Sequence, residues 1–288
     1  MIDINPLTIS LLGLAAGMLG AMLGIGGGVF IVPFLSLLLH IPIQTAIGCS
    51  MVTIVAGSMT ATTTYIRDNV TSIKLGMLLA SASIPGAIWG AIIASRISSS
   101  ILGILFGFML IYSAYTMIKQ QFEEKRRSAI SSPPVDVAIQ ETSSDRWKQC
   151  FYFDKAQKTV ICYTFNRTGI ALTISTFSGI LASLLGVGGG LINIPVMNII
   201  MNVPMKAAIA TSSFVIMMTA SIGAFIFFLN GFVDPFIAVL LIIGAVAGAR
   251  IGARIMQKIR GTLLSTVFAG VMIIIAMLMF LKAIEVIA

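Results

Sequence analysis

Charge is what this chain has least of. Only 10% of its 288 residues are charged and 58% are hydrophobic, a make-up that a soluble domain of this size could not fold without leaving apolar surface in water. Acid is scarcer still. All ten carboxylates, Asp3, Asp68, Glu123, Glu124, Asp136, Glu141, Asp145, Asp154, Asp234 and Glu285, fall between or beyond the long apolar runs. That excludes a buried carboxylate pair for acid–base chemistry, and it argues against the intramembrane acid that carriers of cations place in their path. One histidine, His40, stands where interfacial polarity accounts for it, and the three cysteines, Cys49, Cys150 and Cys162, match no metal-ligand spacing. Neither glycine run leads into Gly-Lys-Ser/Thr, so there is no phosphate loop and ATP drive would need another subunit. No catalytic residue, metal or cofactor is therefore expected. The net charge of +8 is scattered over the segments between apolar runs rather than gathered on one soluble face, which speaks for membrane topology and against nucleic acid.

What the chain has instead is length without polarity. A membrane span needs roughly 20 mainly apolar residues. Such stretches occur near 5–23, 44–66, 73–95, 98–118, 168–186, 206–229, 235–257 and 262–284, which predicts an all-α, polytopic protein whose partner is the lipid bilayer. Two shorter pieces, 28–40 and 190–202, each follow a glycine run and are too brief to cross alone; they read as half-helices or re-entrant arms. The opening Met1-Ile-Asp-Ile-Asn-Pro6 carries no basic n-region and no cleavage site, so the N-terminus is expected to stay. Nothing in the sequence specifies an oligomeric state.

The chain is a duplication. Gly24-Ile-Gly-Gly-Gly28 and Pro33 return as Gly186-Val-Gly-Gly-Gly190 and Pro195, an offset of 162 that also pairs Gly17 with Gly179, Ser50 with Ser212, Gly86 with Gly248 and Phe106 with Phe268. Residues 1–119 and 167–288 form two membrane repeats. Between them, 120–166 is a polar linker whose end, Phe151 to Phe165, has two β-prone runs around a polar turn and reads as a small hairpin.

Basic residues arbitrate the orientation of the halves, because they collect on the cytoplasmic side. If each glycine-break unit adds no net crossing, 16 lysines and arginines fall inside and two outside; if it counts as one crossing the division is 12 to 6. The sharper bias selects an odd number of crossings per half. The repeats are then inverted, with the linker in the cytoplasm and both termini outside, the architecture of alternating-access secondary transporters.

Glycine runs break a hydrophobic helix, and irregular backbone at membrane depth must be buried by protein or line a cavity. Two breaks at matching positions point to a substrate site at Gly26, Gly27, Gly28 and Gly188, Gly189, Gly190, or else to close helix packing. Each short helix that follows would turn its N-terminal N–H groups inward, which suits a small anion, while Pro33 and Pro195 shape the arms as structural helix-breaks. Ser50, Thr53, Thr211, Ser212 and Ser213 are candidate hydroxyl ligands; interhelical bonding explains them equally. Asn193, whose mate is Ile31, departs from the repeat as a further candidate. Gly86-x-x-x-Gly90 and Gly248-x-x-x-Gly252 read as helix-packing motifs. Arg250 and Arg254, with Ile88 and Ile92 as mates, fit snorkelling to the interface or, more sharply, an anion gate.

The duplicated Gly-x-Gly-Gly-Gly segment with its following proline, Gly24 to Pro33 and Gly186 to Pro195, together with four long stretches per half, resembles the sulfite exporter TauE/SafE family. The resemblance covers nearly all of the chain outside the linker. It implies a secondary transporter of sulfite, sulfonate or a related small organosulfur or organic anion in a bacterial cytoplasmic membrane. A passive anion channel built on the same half-helices is the alternative, and a cation carrier using backbone carbonyls a more distant one.

Overall fold

The computed structural model describes residues 6–109, 111, 149–154, 159–165 and 167–257. Six helices in that range are long and apolar enough to span a membrane: α1 (Pro6–Leu23), α3 (Ile43–Arg67), α4 (Ile73–Arg96), α6 (Thr168–Leu185), α8 (Met205–Leu229) and α9 (Pro235–Met256). Three shorter ones are α2 (Gly28–Leu37), α5 (Ser99–Met109) and α7 (Gly190–Pro195), the last running on through a π-helical turn at Val196–Ile200. The expected stretch at 262–284, the far end of that at 98–118 and the basic part of the linker lie outside the described residues. Strands β1 (Gln149–Asp154) and β2 (Thr159–Thr164) pair antiparallel, Gln149 opposite Thr164.

Helix ends follow local chemistry. α3 and α8 both start directly after a proline, Pro42 and Pro204, residues that cannot continue a helix backwards. α4 and α9 start on side-chain caps that satisfy otherwise orphaned donors: Ser72 Oγ accepts from Leu75 N at 3.4 Å, and Asp234 Oδ1 from Phe236 N at 2.9 Å and Ile237 N at 3.2 Å. Ser72 and Asp234 stand 162 residues apart, as do Pro42 and Pro204 and the first residues of α1 and α6. The repeat read in the sequence is thus a repeat of elements.

Packing repeats it too. α1 lies on α9 as α6 lies on α4, α3 on α9 as α8 on α4, and α3 and α8 meet at the centre. The outer pairs are glycine seams: a Cβ on Gly86 or Gly90 would strike the carbonyls of Thr176 or Ile180, and one on Gly248 or Gly252 those of Leu14 or Met18. Such backbone approach is how membrane helices gain dispersion energy without a hydrophobic drive between them. α1 and α9 run parallel, Gly13 facing Leu241 and Gly17 facing Ala245. α3 and α8 run antiparallel, since Met51, early in α3, meets Gly223, late in α8.

Large apolar side chains lie outside as well as in the core. Trp89, Phe177, Phe225, Phe228 and Ile243 are more than half exposed, whereas Ser50, Ser83, Ser175, Ser178, Ser183, Thr211 and Ser212 are wholly buried. Large apolar groups outside and hydroxyls inside suit a surface wetted by lipid.

Candidate functional site

Each break is a left-handed stretch between two helices. Gly24, Gly26 and Gly27 have φ of 66, 92 and 83°, and Gly186, Gly188 and Gly189 have 69, 83 and 78°, a region that only glycine visits without strain. Gly27 and Gly189 are the N-caps of α2 and α7. Gly28 and Gly190 are glycine for another reason. A Cβ on Gly28 would strike the Gly186 carbonyl, and one on Gly190 the Gly24 carbonyl, so the two breaks cross each other at backbone contact.

Two serines tie the crossing. Ser50 Oγ of α3 donates to Gly186 O at 2.9 Å, and Ser212 Oγ of α8 donates to Gly24 O, also at 2.9 Å. Each repeat thereby satisfies a carbonyl that the break of the other leaves free of a helix partner. Ile54 and Ile216, themselves repeat mates, close over Gly26 and Gly188. The crossing is a packed centre, and Ser50 and Ser212 are committed to it.

Two of the other hydroxyl candidates are held within their own helix and the third between helices. Thr53 Oγ1 donates to Cys49 O at 2.7 Å and Ser213 Oγ to Ile209 O at 3.1 Å; Thr211 Oγ1 accepts from Ser72 N at 3.2 Å, joining α8 to the start of α4. Asn193 is buried in α7 and its Oδ1 accepts from Ser175 Oγ at 3.1 Å. Pro33 sits inside α2, while Pro195 ends α7 at the π-helical turn.

A small cavity opens beside the first break. Gly20, Gly26 and Ala245 form part of its wall, and Thr53, Ser58 and Ser213 bring hydroxyls to it. Ser58 was not singled out by sequence; its signal is its place one turn after Ile54 on the buried face of α3, where it donates to Ile54 O at 2.6 Å. All three hydroxyls thus give their proton to the preceding turn of their own helix and offer the cavity only lone pairs. An anion would be met by a hydroxyl that rotates, at the expense of a bond that contributes about 1 kcal/mol.

Sequence reasoning also passed over a set of hydroxyls around the second break. Ser178 Oγ donates to Gly189 O at 2.9 Å, Ser83 Oγ to Ser175 O at 3.0 Å, and Ser183 Oγ is buried without a partner. Their repeat mates are Ala16 for Ser178, Ala245 for Ser83 and Ala21 for Ser183, so subtracting one repeat from the other exposes them. At the membrane face that carries Arg67, Asp68 Oδ2 accepts from Gln257 Nε2 at 2.6 Å and Lys206 Nζ donates to Gln257 O at 3.4 Å.

The chain is similar to several probable membrane transporter proteins. The chain is 29% identical over 231 residues to the probable membrane transporter protein YunE of Bacillus subtilis (strain 168), covering 77% of this chain and 78% of that protein. It is 27% identical over 229 residues to the probable membrane transporter protein YdhB of the same organism, 79% of each, and 28% identical over 230 residues to a probable membrane transporter protein of Methanocaldococcus jannaschii, 78% of this chain and 72% of the relative. No solved structure matches the chain with comparable significance. The family signature described as "Sulfite exporter TauE/SafE" matches residues 9–279, and the chain is therefore a multi-pass membrane protein that belongs to the TauE/SafE transporter family.

Proposed function

We propose that the protein is a secondary transporter that moves a small anion, sulfite or a sulfonate, by alternating access between two inverted repeats. The observation that carries the reading is the crossing of the two breaks between antiparallel α3 and α8. Repeat mates that run antiparallel are related by an axis in the membrane plane, and that is the symmetry of alternating-access carriers. The charge count points the same way, because Asp68, Lys206 and Gln257 share one face; the competing arrangement separates Arg67 from Lys206.

Substrate would enter beside the crossing rather than between the central glycines, which Ile54 and Ile216 cover. The small cavity by Thr53, Ser58 and Ser213 lies on the Arg67 side of the first break, the side that the charge count assigns to the cytoplasm. Flux of radiolabelled sulfite and ethanesulfonate into proteoliposomes, with and without an imposed proton gradient, tests the proposal. Saturable, trans-stimulated flux is expected; flux that rises linearly with concentration would mean a channel, and none for either anion would remove the substrate class.

A further inference from the structure

The repeat offset maps the cavity onto a second place in the molecule. Ala21, Ile31, Gly57, Ala61, Ser213 and Ala245, which line it, have as mates Ser183, Asn193, Thr219, Gly223, Met51 and Ser83. Four of these six mates are polar, whereas the cavity's own hydroxyls, Thr53, Ser58 and Ser213, have apolar mates in Val215, Ala220 and Met51, so the hydrophilic positions of the two places do not coincide. All of the polar four are at most 2% exposed.

Met51 forms the seal. From the point where a Cβ on Gly223 would stand, Met51 Cε is 3.0 Å away, Met51 Sδ 3.3 Å and Ser183 Oγ 3.1 Å. The thioether tip therefore fills, against a side-chain-free wall, the position that Ser213 leaves open in the first repeat. Methionine has three rotatable bonds and a soft tip, and Gly223 leaves it room to withdraw.

Behind it, Ser183 Oγ is wholly buried and has no hydrogen-bond partner, a state rare enough in folded proteins to require a cause. Unlike the hydroxyls of the open cavity, it has a proton to give. Asn193 adds two more: Ser175 Oγ holds its Oδ1 at 3.1 Å, which fixes the amide and leaves the Nδ2 hydrogens on its other side.

We propose that Ser183 and Asn193 form a donor-bearing subsite for the oxygens of a small oxyanion, closed by Met51 in this conformation. The inference rests on the anion-carrier reading above and gives it a polarity: lone pairs in the small cavity, donors at the equivalent place that Met51 fills. Met51 is the element that must move to expose the subsite toward the opposite membrane face.

The test uses the full chain reconstituted in liposomes with Cys49, Cys150 and Cys162 replaced by serine. Ser183→Cys is labelled with a membrane-impermeant methanethiosulfonate reagent, alone and combined with Met51→Ala. Met51→Ala should raise the labelling rate about tenfold and ethanesulfonate should slow it, while Ser183→Ala and Asn193→Ala should each raise KM for ethanesulfonate about three- to tenfold, the loss of one hydrogen bond. Labelling indifferent to Met51 overturns the seal. Unchanged KM in both alanine variants of a transporting protein overturns the subsite and leaves the carrier reading intact. No ethanesulfonate or sulfite flux in the wild type, with labelling still controlled by Met51, upholds the seal and overturns the oxyanion.

Discussion

Ser50→Ala should destabilise the protein by about 1–3 kcal/mol, the cost of leaving a buried carbonyl unsatisfied. The side chain is wholly buried and its Oγ reaches Gly186 O at 2.9 Å across the two repeats. Removing one oxygen makes almost no cavity, so the change isolates the hydrogen bond. Ser212→Ala breaks the mate of that bond, to Gly24 O at 2.9 Å, and should cost a similar amount. Because both bonds tie one crossing, their losses should couple, the double variant departing from the sum by about 0.5 kcal/mol or more. Ser81→Ala is the control. Ser81 is exposed and bonds only within its own turn, to Leu78 O at 2.8 Å, so its loss should stay within about 0.5 kcal/mol. Reversible unfolding in mixed micelles, followed by far-UV circular dichroism, reads all four proteins. If Ser50→Ala falls with the control, the breaks are not held by this serine pair.

Gly28→Ala and Gly190→Ala should each cost more than either serine change, because the new methyl meets the carbonyl of the opposite break and must push the repeats apart; the same unfolding assay orders them. Gly27→Leu combines a φ of 83° with a clash against Ala16 O, and sulfite flux should be abolished while the protein still inserts, as membrane fractionation would show. Gln257→Ala removes the donor to Asp68 Oδ2 and should speed the labelling of a cysteine placed at Thr53, by opening the Arg67 face; an unchanged rate would assign that bond to packing alone.

Much of the fold was legible because its determinants are one-dimensional. Apolar length specifies a span, glycine runs specify where a helix must stop, and a constant offset specifies that whatever the first half builds the second builds again. Those features located α1 to α4, α6, α8 and α9 and both breaks. The glycines at 24, 26 and 27 could be read as breakers because positive φ is a property of one residue and its own backbone.

The roles of Gly28, Gly190, Ser50 and Ser212 could not be read that way. Each is decided by an atom some 136 to 188 positions distant, as in Ser50 to Gly186 and Ser212 to Gly24, and a hydroxyl looks the same in sequence whether it faces a substrate or staples a carbonyl. Sequence alone determined that this chain is a duplicated, carboxylate-free membrane bundle broken twice by glycine, since composition and periodicity are summed along the chain. Only the tertiary structure decided that the breaks cross, that Ile54 and Ile216 cover them, and that one of two equivalent places keeps a small cavity while Met51 fills the other, because those depend on which surfaces of the two halves come into contact.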